Sequence, residues 1–377
     1  MKLTPSSSWK FASIGGLALL LVIIPFNIRP GYAQEQTKQS GPSASKPAEE
    51  VFKNIKVLKG IPSDQLLPSM QFITAALGVQ CQFCHVDGHF DQDDKPPKEA
   101  ARHMMQMMFA INKDNFRGHR EVTCNTCHRG SVHPMSVPEI TEAAMTMPRS
   151  EAPQATSSGP SADQILAKYV TALGGAGAIG KVASRVQTGT ATFGGHDTPI
   201  EIYTKAPEKR VSIMKMGNAE SITVYDGTNG WMSSTGRPVR EMNAADLEAS
   251  KMDADLHFAT GVKAEFSDWR VLPDEKVGDH EAQVIRGRMA DKPPLKLYFD
   301  EQSGLLVRLV RYAETPLGNN PTQIDYFDYR DVDGVNVPFK WTVSRPGNSF
   351  TIQIAKTEQN VHVDDAKFAK PSSPAQP

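Results

Sequence analysis

The stretch "MQFITAALGVQCQFCH", Met70–His85, contains the pattern from which the fold of the first part of this chain is predicted. It joins an apolar segment to a Cys-x-x-Cys-His pentapeptide, and a second pentapeptide of this kind, "CNTCH", occupies Cys124–His128. The two pentapeptides contain all 4 cysteines of the 377-residue chain. An account of the fold must therefore explain why the cysteines come in two equal spacings, each followed at once by histidine.

Each pentapeptide follows a predicted helix. Ser63 or Asp64 can start the first helix and Gly78 can end it. Its apolar face consists of Leu66, Met70, Ile73 and Leu77. The second helix is predicted to begin after Pro96–Pro97, with apolar residues at i, i+3, i+4 and i+7, namely Met104, Met107, Met108 and Ile111. The order helix, turn and pentapeptide therefore occurs twice.

The N-terminus has the pattern of an export segment. Lys2 and Lys10 precede the apolar run Phe11–Ile28, and small residues follow near Ala33. This pattern predicts a signal peptide cleaved after Ala33, residues 1–33. The run is also long enough for an uncleaved membrane anchor. Both alternatives predict a periplasmic or periplasm-facing protein, with the second one anchored in the cytoplasmic membrane.

Composition divides the rest of the chain into two domains. Residues 34–50 and 135–162 are rich in Pro and Ser and are predicted linkers, and 371–377 is a predicted disordered tail. The domains are then residues 51–134 and 163–370. The formal net charge of -1 provides no basic field, so we expect no nucleic-acid partner.

The second domain is predicted to be an α+β domain. A helix opens it at Ser161–Gly175, and turn signals such as DGTNG and DEQSG separate the segments that follow. The predicted strands lie in VQTGTATF, IEIYTK, SITVYDGTNGW, LKLYFD, LLVRLVRY, IDYFDYRDVDGVNVPFKWTVS and FTIQIAKTEQ. The pattern indicates a large curved antiparallel sheet, or half-barrel, behind an α-helical first domain.

Four kinds of site can use four cysteines. Disulfides are the default in an exported protein, but a Cys-x-x-Cys pair is poorly spaced for them. A thiol redox centre needs a thioredoxin-like context that is missing here. A four-cysteine zinc site has no need for histidine after each pair. A c-type haem does need it, because two thiols attach the porphyrin and the histidine binds the iron. Two covalently bound haem c groups are therefore predicted, at Cys81, Cys84 and His85, and at Cys124, Cys127 and His128.

Each iron also needs a second axial ligand. Met70 lies on the apolar face of the first helix, and four methionines, Met104, Met105, Met107 and Met108, compete on the second. The alternative is that they fill the core, which is what methionine most often does. Periodicity alone leaves this choice open.

The stretches Met70–His85 and Ala100–Gly130 resemble the cytochrome c subunit of photosynthetic reaction centres. In that family a helix with an axial methionine, a turn and Cys-x-x-Cys-His form a repeated haem unit. The resemblance implies that Met70 pairs with His85 and Met104 with His128, and that Met107 and Met108 pack. Members of the photosynthetic type carry four haems, whereas this chain has attachment sites for two. His119 stands where the family has a ligand to a further haem, and we expect it to be exposed or structural here.

Several other polar residues of the first domain receive ordinary roles. We expect the side chains of His89, His103 and His133 to lie on the surface. Arg102 and Arg129 are candidates to pair with haem propionates, the alternative being solvated charge.

The second domain contains no predicted catalytic group. His196, His257 and His280 are far apart in sequence, with no matching Ser or carboxylate. The acidic run Asp325, Asp328, Asp331 and Asp333 indicates a strand with a polar turn rather than a calcium site. The domain also resembles the lipoprotein-sorting half-barrel in "VYDGTNGW" and "YFDEQSGLLVRLVRY". That resemblance implies a hydrophobic ligand or a membrane partner.

The sequence thus predicts an exported dihaem c-type cytochrome that carries electrons and is not an enzyme. Its expected partners are a redox protein that donates electrons and a membrane-bound acceptor. A dihaem peroxidase-like enzyme and a haem redox sensor or binding protein are the alternatives.

Overall fold

The structure is a computed structural model that describes residues 45–134, 159–289 and 292–372. The predicted export segment and most of both predicted linkers lie outside the described residues. So does most of the predicted C-terminal tail. Within the described part of the chain, no helix has the length and apolar character needed to cross a membrane.

The first part of the chain is helical, as predicted. Its helices are α1 Ala48–Val51, α2 Leu66–Leu77, α3 Pro96–Asn115 and α4 Cys124–His128. A 3-10 turn, Ser63–Gln65, leads into α2, and Gly78 ends that helix in the left-handed conformation with φ 67°. Prolines at the first two positions of α3 are well tolerated because those amides have no partner within the helix.

A small core joins these helices. It contains Leu58, Phe72 and Ile73 with Met105 and Met108, all nearly inaccessible to solvent. Leu317 from the second part of the chain, 0% exposed, belongs to the same core. The first part therefore completes its core with a residue that lies far downstream in the sequence.

Thirteen antiparallel strands of the described residues form one sheet, in the order β6-β5-β4-β3-β2-β1-β13-β12-β11-β10-β9-β8-β7. Nearly all neighbours are consecutive in sequence, as in a meander. The pairing of β1 with β13 joins the first and last strands at the centre. The strands are β1 Ser184–Phe193, β2 His196–Lys205, β3 Lys209–Met216, β4 Ala219–Tyr225, β5 Gly230–Ser234, β6 Arg240–Glu241, β7 Arg270–Val277, β8 His280–Gly287, β9 Leu295–Asp300, β10 Leu306–Thr315, β11 Gly318–Val332, β12 Val335–Arg345 and β13 Asn348–Gln359.

Within the described residues, four α-helices accompany the sheet: α5 Ala162–Ala172, α6 Ala176–Ile179, α7 Ala244–Ala254 and α8 Phe258–Glu265. One core cluster contains Leu166 of α5, Ile202 of β2 and Ile285 of β8. In a flat sheet, seven spacings of about 4.8 Å would put β2 and β8 roughly 34 Å apart. A helix is only about 10–12 Å wide with its side chains, so the sheet must curve around the helices.

The seven sequence segments predicted as strands all contain strands. The helix predicted at Ser161–Gly175 also forms, as α5. The region between β5 and β9, which holds α7, α8, β7 and β8, was not predicted, and neither was β3. The sheet is therefore larger than the sequence pattern indicates.

The turn between β10 and β11 connects the two parts of the molecule. It places Leu317 in the core of the helical part, and Gly318 lies so close to the Phe72 ring that a side chain there would overlap it. The Arg120 guanidinium donates to the Thr315 carbonyl and lies 3.3 Å from Glu314. Asn320 donates to the Gln71 amide oxygen across 3.3 Å. We call this turn, residues 314–320, the docking hairpin.

Candidate functional site

The first Cys-x-x-Cys-His motif opens onto a cavity of about 630 Å³. Cys81, Cys84 and His85 line it, and Met70 of α2 lines it as well. Much of the remaining wall comes from the segment Val51–Leu58. The volume falls in the range typical of cofactor sites, about 300–1,000 Å³.

The second motif opens onto a separate cavity of about 350 Å³. Cys124, Cys127 and His128 line it, together with Met104 and Met107 of α3. Each motif therefore shares a cavity with the methionine that the sequence analysis assigns to it.

The two cavities adjoin one another. Four residues line both of them: Ile73, Cys84, Ala101 and Met105. Two groups bound in these cavities would consequently be separated by little more than a layer of side chains.

Both motif histidines have the same hydrogen bond. His85 Nδ1 lies 3.0 Å from the Phe90 carbonyl oxygen, and His128 Nδ1 lies 3.0 Å from the Ser131 carbonyl oxygen. A carbonyl oxygen can only accept, so Nδ1 carries the proton in each ring and Nε2 keeps a free lone pair. This is the arrangement by which proteins orient a histidine that ligates a metal. Burial also lowers the pKa of His85, which favours its neutral, ligating form.

The two motifs differ in their backbone. Cys124–His128 forms α4, and the Thr123 and Thr126 side chains form a capping box at its start. In the first motif only Cys81–Phe83 is helical, as a 3-10 turn without a side-chain cap. The second motif is consequently the more regular of the two.

No disulfide joins the four cysteines, all of which lie in the described residues: Cys81 lines the first cavity, Cys124 and Cys127 line the second, and Cys84 lines both. Burial raises the pKa of the Cys84 and Cys124 thiols, so both favour the neutral form. No group of three or more His, Cys, Asp or Glu side chains converges on a possible metal position within the described residues. The four cysteines thus do not form the single cluster that a zinc site would need.

The cavity walls present apolar side chains to solvent. Ten large apolar side chains of the described residues are exposed, and seven of them line the two cavities. These seven are Val51, Phe52, Leu67 and Phe90 in the first cavity, and Phe83, Met104 and Met107 in the second. Grouped exposed apolar residues mark a surface that a hydrophobic partner covers. Paired thiols, an oriented imidazole, a thioether and an apolar wall fit a covalently attached haem.

Asp93 lies at the centre of a charged cluster beside the first cavity. Its carboxylate is 2.9 Å from Arg102, 2.8 Å from Lys56 and 3.1 Å from Lys98. Asn54 donates to the same carboxylate across 2.9 Å. The hydrogen bond from Arg102 and the other cationic donors hold the pKa of Asp93 far below its usual range.

The two arginines predicted to pair with haem propionates, Arg102 and Arg129, lie in different surroundings. The Arg102 side chain, 7% exposed, lines the first cavity and is paired with Asp93 and Glu99. It therefore already has carboxylate partners within the protein. Arg129, at the end of α4, is exposed.

The buried face of α3 differs from the prediction by one position. Met105 and Met108 are in the core, whereas Met104 and Met107 are 44% and 48% exposed and line the second cavity. The expectation that Met107 packs in the core was therefore wrong. Met108 packs there as expected. Met105, one of the four competing methionines, lines both cavities.

The remaining histidines of the helical part are exposed, as expected: His89, His103, His119 and His133. In the second part, His257 Nε2 lies 3.0 Å from the Val182 carbonyl oxygen, which is a structural contact.

The prediction that His280 has no carboxylate partner was wrong. Its Nδ1 lies 3.1 Å from Asp300, which also accepts from the Ser303 hydroxyl. Pairing of β8 with β9 brings His280 and Asp300 together. Histidine and serine both bind the aspartate instead of each other, so this group is not a Ser-His-Asp triad. The acidic run from Asp325 forms the end of β11 and a turn at Asp333, as predicted.

Comparison with known proteins identifies relatives of the motif-bearing segment. Cytochrome c-554 of Chloroflexus aurantiacus is 39% identical over 85 residues, which are 21% of this chain and 20% of that protein. The photosynthetic reaction center cytochrome c subunit of Thermochromatium tepidum is 35% identical over 100 residues, 25% of this chain and 24% of that protein. The chain thus spans only about a fifth to a quarter of the length of these relatives.

Solved structures also resemble the chain. A LolA superfamily protein from Nitrosomonas europaea has a TM-score of 0.40 and 12% identity, over 56% of this chain and 99% of that one. A DUF1329 family protein from Desulfovibrio piger has a TM-score of 0.40 and 12% identity, over 55% of this chain and 96% of that one.

A protein-family model matches the segment that contains both cavities' motifs. The model of the photosynthetic reaction centre cytochrome C subunit family matches residues 27–173, which include both motifs and both helices that precede them. Over this segment, the chain is similar to the photosynthetic reaction centre cytochrome c subunit family.

Proposed function

We propose that the protein is an exported dihaem c-type cytochrome that carries electrons. The observation that supports this most strongly is the pair of adjoining cavities. Each is lined by both cysteines of one motif, by the methionine assigned to that motif and by the motif histidine, whose Nδ1 is held by a carbonyl. Similarity of residues 27–173 to the reaction-centre cytochrome family supports the same function.

In this proposal each residue has a defined role. Cys81 and Cys84 would attach the first haem, and His85 and Met70 would bind its iron. Cys124 and Cys127 would attach the second haem, and His128 and Met104 would bind its iron. The module that holds both haems is residues 51–134, and the β-rich domain is residues 163–370.

A haem held by a histidine and a methionine would supply a one-electron couple. The protein orients the imidazoles through Phe90 and Ser131 and surrounds the cavities with apolar side chains. The wall shared by the cavities keeps the two redox groups close, so an electron that enters at one can leave from the other. Such a protein moves electrons without changing bonds in a substrate.

The partners follow from the same proposal. A redox protein donates electrons, and a membrane-bound partner accepts them on the periplasmic side. The relatives that are reaction-centre subunits make a photosynthetic reaction centre the first acceptor to test. For the β-rich domain, a hydrophobic ligand or a membrane partner stays a prediction.

The first experiment produces the full chain in a host that attaches c-type haem. We expect two haems per chain by mass spectrometry and low-spin c-type absorption bands after reduction. Protein that carries zinc and no haem would overturn the proposal. A high-spin signal from one iron would instead favour the peroxidase-like alternative.

The assignment of Met104 as an iron ligand can be tested against a matched control, Met107, on the same helix. Met104 and Met107 lie one turn apart, line the same cavity and are similarly exposed. Met104→Leu should convert one haem to high spin and lower its potential, whereas Met107→Leu should leave both low-spin. Met70→Leu should convert the other haem to high spin and lower its potential. The reverse result for the α3 pair would assign Met107 as the ligand.

A further inference from the structure

Lys98 contacts the loop that holds the first motif histidine. Its ammonium group donates to the Phe90 carbonyl oxygen across 2.9 Å, and that oxygen also accepts from His85 Nδ1 across 3.0 Å. A carbonyl oxygen has two lone pairs and can accept both bonds. The imidazole and the ammonium group therefore share one acceptor.

Lys98 is held firmly in this position. Its side chain is 11% exposed, donates to the Gln92 carbonyl across 2.5 Å and lies 3.1 Å from the Asp93 carboxylate. Asp93 is fixed in turn by Arg102 and Lys56. A lysine with three oxygen acceptors and little exposure is part of the site rather than a solvated surface charge.

The second site lacks this arrangement. His128 Nδ1 has the Ser131 carbonyl as its acceptor, and the described residues contribute no side-chain donor to that oxygen. Both histidines therefore donate to a backbone carbonyl, but only the carbonyl that accepts from His85 also accepts from a lysine.

We propose that Lys98 is a positioning residue that weakens electron donation by His85, by sharing the Phe90 carbonyl with it. This inference rests on the proposed function, in which His85 ligates the first haem. A cation on the carbonyl withdraws electron density from it and makes it a poorer acceptor for the Nδ1 proton. A weaker bond at Nδ1 leaves the imidazole a poorer donor at Nε2. Hydrogen bonds to the residues that bind the iron are one of the means by which proteins set haem potentials.

The sign of the effect follows directly. A poorer donor stabilises the oxidised metal less, and the positive charge of Lys98 acts in the same direction. Lys98 therefore raises the reduction potential of the first site and leaves that of the second unchanged. The first site holds an electron more tightly than the same site would without Lys98.

The test compares Lys98→Met with Lys56→Met in the haem-loaded full chain. Both changes remove one positive charge that contacts Asp93, but only Lys98 contacts the Phe90 carbonyl. Spectroelectrochemistry gives the two potentials. Proton NMR of the oxidised protein follows the Nδ1 proton of each axial histidine.

For Lys98→Met we expect the reduction equilibrium of one site to fall about threefold, ~28 mV for a one-electron couple. The Nδ1 signal of His85 should shift, with that of His128 unchanged. Lys56→Met should give a smaller change in potential and no shift in the His85 signal. Equal changes in both variants would overturn the proposal and leave only a through-space charge effect. An unmoved His85 signal in Lys98→Met would overturn it as well. Failure of the wild-type chain to bind haem would instead count against the proposed function.

Discussion

The two motif-bearing sites have the same pentapeptide and different surroundings. The first has a cavity of about 630 Å³ with Lys53, Lys56 and Lys98 among its lining residues. The second has about 350 Å³ and an almost wholly apolar lining, and its motif is a capped helix. The same pentapeptide thus lies in two different electrostatic surroundings, which are determined by residues outside the motif.

The largest expected effect comes from removing one site at a time. Cys81→Ala combined with Cys84→Ala should leave one haem per chain by mass spectrometry, and Cys124→Ala combined with Cys127→Ala should do the same. The potentials of the two one-haem proteins should differ, because the surroundings of the sites differ. Loss of both haems from either variant would show that the sites do not form independently.

The second prediction concerns the core beneath both sites. Leu317→Ala removes a side chain that is 0% exposed and packs with Ile73 and Met105, which line both cavities. A buried Leu→Ala change typically costs about 2–5 kcal/mol of unfolding free energy. Chemical denaturation of the haem-loaded protein should show this loss. Val271→Ala, at a position 41% exposed on β7, is the control and should cost much less.

The third prediction tests how the second motif is attached to α2. The Gly130 amide donates to the Ala76 carbonyl across 2.9 Å, and a side chain at Gly78 would overlap the Gly130 carbonyl. Gly118 has a similar positive φ, 81° against 67°, with open space around it. Gly118→Ala should cost about 1–2 kcal/mol for its left-handed conformation alone.

Gly78→Ala should cost more than this and should also change the spectrum of the second haem. Denaturation and absorption spectra of the two variants measure the difference. Equal costs would mean that the contact between α2 and the second motif relaxes freely.

The smallest expected effect is a pH dependence at the first site. Because cationic donors hold the pKa of Asp93 low, its stabilising effect is complete above the unfolded value of about 3.9. The effect is then lost as the pH falls toward the folded value. Asp93→Asn should therefore destabilise the protein at neutral pH, and the gap to wild type should narrow below about pH 4.

Denaturant titrations at several pH values test this. Asp91→Asn, at a cavity residue whose carboxylate has no ion pair among the described residues, is the control. A gap for Asp93→Asn that stays constant down to acid pH would contradict the prediction.

Much of the fold could be predicted because local patterns determine it. Gly78 ends α2 and Ser161 caps α5 as the sequence indicates, and the alternating segments all contain strands. The methionine face of α3 could not be predicted correctly, because Met104 and Met105 begin neighbouring apolar stripes. One stripe faces the second cavity and the other faces the core, and hydrophobicity does not distinguish these two surroundings.

Contacts that leave no periodic signal in the sequence were the other limit on the prediction. His280 meets Asp300 only because of the register between β8 and β9, and Lys98 meets the Phe90 carbonyl only through the shape of a loop. Neither contact has a periodic signal. The residues expected to carry the cofactor stay a prediction, which rests on the spacing that covalent haem attachment requires.

The docking hairpin has a consequence for how the protein is made. In the proposed function the chain is exported from its N-terminus, so both Cys-x-x-Cys-His motifs would leave the export channel before Leu317. Until the docking hairpin arrives, Phe72 and Met108 lack one of their core neighbours. On that proposal, the hairpin would complete the core of the helical part only after both motifs had become available for haem attachment.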